Sequence, residues 1–185
     1  MLVLNMKKVL LILLILLPFF VSADVVEFNK CIDGDTFKVV LNDEVVTVRL
    51  LAVDTPESVH PDKEKEYYGD ESSSFTCNMI KNAKRIELEY DSNSDKYDKY
   101  NRLLAWVFVD GKLLQDEIIK NGYGRVAYLY DDYKYTNILK QSEMIARNNH
   151  IGIWVDNCSN NVIYIVIVSI LMLSIIMYLK NKLKN

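Results

Sequence analysis

The apolar residues of this chain are gathered into two uncharged runs at its ends, so only the stretch between them is left to build a globular core. Met1 to Ala23 carries Lys7 and Lys8, then the uncharged stretch Val9 to Val21, then Val21-Ser22-Ala23, the small-residue pattern of an export-signal cleavage site. The run is short for roughly 30 Å of hydrocarbon. Residues 1–23 therefore read as a signal peptide cut after Ala23, with Met6 an alternative start to Met1. Val162 to Leu179 is uncharged over eighteen residues, and at about 1.5 Å rise each that length gives about 27 Å, enough to span a membrane. A buried core helix is the alternative, disfavoured because the run has no polar stripe.

Both ends agree on orientation. Lys7 and Lys8 precede the first run and Lys180, Lys182 and Lys184 follow the second; positive charge stays on the cytoplasmic side, so the intervening domain is expected outside the cell membrane. The chain divides into a signal peptide (1–23), a domain (24–156), a juxtamembrane linker (157–161), a transmembrane helix (162–179) and a basic tail (180–185). Five of the 22 basic residues lie in the two ends but none of the 25 acidic ones does, leaving the exported part at a net charge of about −8. Such a domain is a poor general binder of polyanions, because affinity for nucleic acid is built mainly from phosphate neutralisation. A nucleic-acid function would have to rest on a local site, with a cation.

Within the domain, Val25 to Leu41 alternates as a strand interrupted by a turn at Gly34, and Asn42-Asp43-Glu44 turns the chain into a second strand, Val45 to Val53. Ser58 to Tyr68 reads as an exposed loop, and about Asp70 to Asn82 as a helix with Phe75, Met79 and Ile80 at helical spacing. Arg85 to Tyr90 and Leu103 to Val109 are strands, Leu113 to Asn121 a helix stopped by Gly122, and about Thr136 to Asn148 an amphipathic helix. The order has no βαβ alternation and fits a small antiparallel barrel with packed helices. Cys31, Cys77 and Cys158 allow at most one internal pair. Spacing alone does not choose among them.

The chemistry-bearing residues narrow the function. His60 and His150 stand in no nucleophile motif, and no paired Cys/His spacing suits zinc. Asp91-Ser92-Asn93-Ser94-Asp95 opens like a calcium loop but has Lys96 and Arg102 where that loop needs glycine and glutamate. Asp33-Gly34-Asp35-Thr36 and Asp54-Thr55-Pro56-Glu57 lie at strand ends that a hairpin brings together, and hard oxygen ligands of this kind suit calcium. Arg49, in the apolar strand Val46 to Val53, is costly to bury without an anion, and Arg102 immediately precedes another strand. A structural ion pair is the plain reading of Arg49. A cation, a carboxylate and two guanidinium groups are also what phosphodiester hydrolysis requires.

These residues resemble the staphylococcal nuclease-like (thermonuclease) family. The ordered matches are Ile32 to Thr36, Val48 to Glu57, Tyr68-Gly69, Asp98 to Arg102, Val126 to Tyr130, Ser142-Glu143 and Ile151 to Trp154. The resemblance implies an α+β fold, a five-stranded OB-type barrel with about three helices, and calcium-dependent hydrolysis of DNA or RNA that leaves 3′-phosphate ends. It implies that Asp35, Asp54 and the carbonyl of Thr55 ligate Ca2+ with Asp33 close by. Glu57 would be the general base, and Arg49 and Arg102 the arginines that bind the phosphate. Lys99, Tyr100, Tyr128 and Tyr130 are the implied substrate-binding residues, although amphipathic packing explains a single tyrosine equally well. Asn101 departs from the glycine usual before Arg102, and the acidic balance departs from the family's basic nucleases. The alternatives are a noncatalytic nuclease-like binding module and an inert scaffold at the cell surface.

Overall fold

The computed structural model describes residues 23–58, 65–155 and 166–176. Its first strands are β1 (Asp24–Cys31), β2 (Thr36–Leu41), β3 (Glu44–Leu50) and the two-residue β4 (Val53–Asp54). Helix α1 (Gly69–Lys81) leads to β5 (Ile86–Glu89) and β6 (Leu103–Val109), then to β7 (Lys112–Leu113) and α2 (Leu114–Lys120). Short β8 (Arg125–Val126), α3 (Thr136–Asn148) and a 3-10 turn (Gly152–Trp154) follow. The sheet order β3-β2-β1-β5-β6 is closed by a parallel pairing of β3 with β6, giving the expected five-stranded barrel.

The boundaries follow local chemistry. Asn42 and Asp43 both take positive φ, the left-handed pair that matches the twist of a two-residue hairpin, and β2 and β3 pair in register from Thr36↔Arg49 to Leu41↔Glu44. The second strand stops three residues short of Val53, because Ala52 takes φ +58 and breaks the chain between β3 and β4. Alternation fills the barrel with Phe37, Val39, Val48, Leu50, Leu88, Leu103, Ala105 and Val107, all essentially fully buried. On the outer side of β6, Trp106 is buried edge-on against Tyr135 and donates its indole N–H to Asp91.

Two helices close the barrel from outside. α2 contributes Leu114, Ile118 and Ile119, and its buried Gln115 bonds the backbone of Ala105 and Val107 on β6. α1 turns Ser72, Thr76 and Ile80 inward at a spacing of four, the buried face of a helix. It is stitched to the end of β1 by a disulfide between Cys31 and Cys77, the pairing that spacing left open.

Several expectations lie outside the described residues: residues 1–22 of the signal peptide, His60, Cys158, the linker 157–161 and the tail 180–185. Of the predicted span, residues 166–176 are described; they are helical, and every one is exposed. No described helix is long and apolar enough to cross a membrane.

The Cys31–Cys77 bridge spans a sequence separation of 46, for which loop-closure entropy gives about 4 kcal/mol of stabilisation. Urea unfolding of the Cys31→Ser, Cys77→Ser double variant is expected to show a loss of about that size; an unchanged midpoint would exclude the bridge as a stabilising element.

Candidate active site

The site is built where two loops meet at one end of the barrel. The β1–β2 loop carries Asp33, Gly34 and Asp35, and the segment after β3 carries Asp54, Thr55 and Glu57. They touch closely: a Cβ on Gly34 would come 2.6 Å from Thr55 Oγ1, so a side chain at that position would push the loops apart. Ser58 Oγ donates to Asp33 Oδ1 at 2.6 Å, and Asp35 Oδ2 accepts from the backbone N–H of Thr55 at 3.1 Å and from its hydroxyl at 3.3 Å.

Arg49 holds the centre. It projects from β3 on the face opposite Val48 and Leu50, yet it is only 8% exposed. Nη1 donates to the carbonyls of Leu50 (3.0 Å) and Val53 (2.8 Å), so the guanidinium also organises the reversal that ends its own strand. Nη2 lies 3.1 Å from Asp35 Oδ2 and 3.8 Å from Asp54 Oδ1. The ion pair anticipated for Arg49 is therefore present, and it joins the two carboxylates implied as metal ligands.

Burial pushes the Asp35 carboxyl above its ordinary range, even though Arg49, the Thr55 N–H and the Thr36 hydroxyl all favour its charged form. Among the described residues no three acidic, histidine or cysteine side chains converge as a metal-binding group. The oxygens at hand are the carboxylates of Asp35 and Asp54 with the hydroxyls of Thr36 and Thr55 beside Asp35, hard donors of the type a divalent cation takes.

Glu57 is half-buried and follows Asp54 by three residues. Its N–H donates to Glu66 Oε2 at 3.2 Å and its carbonyl accepts from the Glu66 N–H at 3.0 Å. That carbonyl also abuts the start of α1, where a Cβ on Gly69 would come within 2.5 Å of it. The helix thereby sets the backbone on both sides of the site, since Thr76 Oγ1 donates to the Gly34 carbonyl at 2.7 Å.

Arg102 is placed by the strand pairing that closes the barrel. Leu104 is the cross-strand partner of Arg49, so Arg102, two residues earlier, leaves β6 on the same face. Its Nε and Nη2 both lie 2.6 Å from Asp98 Oδ2. Burial works against the Asp98 carboxylate, but hydrogen bonds from Arg102 and from the Tyr100 N–H hold it below the usual range. Asn101 takes φ +59, the left-handed conformation that asparagine tolerates and glycine would also adopt.

The implied substrate-binding residues divide. The Tyr128 hydroxyl lies 3.3 Å from Asp54 Oδ1 and the Arg49 guanidinium sits 5.5 Å from its ring, so this tyrosine joins the central cluster. The Asp54 charge, and then burial, raise its phenol above the ordinary range. Tyr100 packs instead against Arg102 and Lys99, at 5.4 and 4.9 Å. Tyr130 is 83% exposed. Sequence reasoning missed Arg125, whose Nε and Nη2 donate to Asp54 Oδ2 at 3.0 and 2.6 Å. No motif marked it, because its position follows from the β4–β8 pairing that sets it opposite Asp54.

The Staphylococcal nuclease homologue family matches residues 47–156. Over 133 residues the chain is 41% identical to the SPbeta prophage-derived endonuclease YokF of Bacillus subtilis, an alignment covering 71% of this chain and 44% of that protein. It is 41% identical over 130 residues to Endonuclease YncB of Bacillus subtilis, covering 70% of this chain and 61% of the relative. It is 34% identical over 125 residues to the Thermonuclease of Staphylococcus hyicus, covering 68% and 72%. The chain thus spans less than two thirds of the length of the two Bacillus proteins.

The raised carboxyl of Asp35 has a thermodynamic signature. The folded chain takes up this proton at a higher pH than the unfolded chain, whose ordinary value is 3.8, so in calcium-free buffer the contribution of Asp35 to stability rises as pH falls from neutral toward that value. Denaturant unfolding across pH should show the parent gaining on the Asp35→Asn variant over this window; a difference that stays flat or shrinks on acidification would contradict the assignment.

Proposed function

This chain belongs to the Staphylococcal nuclease homologue family, and from that premise we propose that it is an exported, membrane-tethered nuclease hydrolysing phosphodiester bonds of DNA or RNA with calcium. The observation that carries the reading is the buried Arg49 guanidinium set between the carboxylates of Asp35 and Asp54. Asp35, Asp54 and the carbonyl of Thr55 would hold the cation, with Asp33 behind them fixing the loop through Gly34 and Ser58. Bound calcium supplies charge neutralisation at a phosphate oxygen and eases deprotonation of water.

The chain's own groups do the rest. Glu57, three residues after Asp54 in the chain, accepts the proton of the attacking water as general base. Arg49, already immobilised by two carbonyls, offers positive charge at no cost of reorganisation as negative charge develops on the phosphoryl oxygens. Arg102 approaches from the neighbouring strand and binds the same group as it leaves Asp98, its planar fork matching two oxygens. The scissile bond is on the 5′-oxygen side, leaving 3′-phosphate ends. Tyr100, Tyr128 and Tyr130 offer exposed rings on which bases stack, with Lys99 beside Tyr100.

Export and tethering rest on the two apolar ends. The tether is argued from the unbroken uncharged run Val162 to Leu179 of the sequence. The predicted orientation places the nuclease domain on the outer face.

Cleavage of single-stranded DNA and of RNA by the full chain in detergent is expected to require calcium and to stop with chelator. Glu57→Ser should lower kcat by about 10²- to 10⁴-fold with the unfolding midpoint preserved, and Arg102→Gln should lower it with little change in stability, since its side chain is 31% exposed. A folded chain that binds calcium and oligonucleotide but cleaves neither substrate would replace this reading with the noncatalytic binding module.

A further inference from the structure

Asp54 collects more donors than its single charge requires. Arg49 Nη2 and the Tyr128 hydroxyl approach Oδ1 at 3.8 and 3.3 Å, while Arg125 sends two donors to Oδ2. The two arginines are held very differently. Arg49 is buried and tied to Asp35 and two carbonyls, whereas the Arg125 side chain is 59% exposed and comes from the rim strand β8. An ion pair so open to water contributes little to stability and is screened by salt. Releasing Arg125 from Asp54 therefore costs little, and Arg49 and Tyr128 stay behind to hold the carboxylate.

Resting on the nuclease reading above, we propose that Arg125 serves two anions in turn: the Asp54 carboxylate when no nucleic acid is bound, and a backbone phosphate of the strand when one is. The fork that now gives two hydrogen bonds to one carboxylate is the geometry that binds two phosphate oxygens. The backbone of β8 stays in register with β4 throughout, so the exchange is a rotation of one exposed side chain. In a domain whose net charge is about −8, a guanidinium delivered at the rim of the site adds attraction for a polyanion where the overall field repels it. While it lies on Asp54, the same charge opposes a divalent cation at that carboxylate.

The test uses the full chain in detergent micelles carrying Glu57→Ser, so that a strand is bound without being cut, and compares it with the same chain bearing Arg125→Gln or Arg125→Lys. Binding of a single-stranded DNA oligonucleotide is followed by fluorescence anisotropy in calcium across a salt series, and binding of calcium alone by titration calorimetry. Arg125→Gln should weaken oligonucleotide binding about tenfold at low salt and reduce the steepness of log K against log salt by about 0.7 to 1. Arg125→Lys should keep the salt slope while binding less tightly than the parent. Calcium alone should bind Arg125→Gln several-fold more tightly. An unmoved salt slope, or a calcium affinity that stays level or falls, overturns the role of Arg125 while leaving the nuclease reading standing. A Glu57→Ser parent that binds no oligonucleotide in calcium overturns both.

Discussion

A guanidinium cannot be buried without anions and carbonyls to receive it, and the site end of this barrel is arranged around that requirement at Arg49. One nitrogen takes the carbonyls on either side of the Leu50–Val53 reversal, the other takes Asp35 from the preceding loop and approaches Asp54 just beyond the turn. A strand end, a turn and two loops thus share one side chain. Removing the charge would leave Asp35 buried without its cation, a change of about 3–5 kcal/mol for a broken buried pair. The same interaction that holds this part of the fold holds the candidate ligands at a fixed separation, which is why stability and chemistry are inseparable at this position.

Helix α1 supplies the second constraint. Its first residue packs against the Glu57 carbonyl, its middle donates from Thr76 to Gly34, and its last turn is joined to β1 through Cys77. The first two contacts fall on the backbone of the site loops, leaving the carboxylates themselves to other partners. Loops held by their main chain can keep charged side chains together that would otherwise repel, as Asp33, Asp35 and Asp54 do here. A covalent tie at the base of the first loop adds rigidity that hydrogen bonds alone would supply only cooperatively.

Legibility in the sequence tracked the range of the interactions. Leu103–Val109 and Thr136–Asn148 were readable because periodicity and end signals are local, and the structure places both elements at those residues. The β3–β4 break was not, since Ala52 takes its left-handed φ to serve the Arg49 cradle and alanine gives no such signal. The parallel β3–β6 closure and the Cys31–Cys77 pairing are long-range choices that spacing left open. In the candidate site, Asp35, Asp54 and Arg49 stood out because charged residues interrupt apolar strands. Arg125, an exposed arginine 71 residues from Asp54 along the chain, had no pattern to betray it. The resemblance added what periodicity could not, namely which carboxylates meet.

The acidic balance of the domain takes on a definite meaning once the pairs are known. Arg49 faces Asp35 and Asp54, Arg102 faces Asp98, and Arg125 faces Asp54, so the candidate site's guanidiniums are already spoken for by carboxylates. Their charge is therefore masked at a distance, and an approaching strand meets mostly the negative field of the domain. On the proposed reading, attraction would develop at close range, where a cation takes over the carboxylates and Arg102 and Arg125 turn to phosphate while Arg49 stays in its carbonyl cradle. Binding by exchange, on this calcium-dependent proposal, would link the cation and the strand thermodynamically, each easing the entry of the other by relieving the same ion pairs. A strongly basic domain of the same fold would hold nucleic acid without that linkage; on the proposed reading, this one would tie substrate affinity to the presence of the metal.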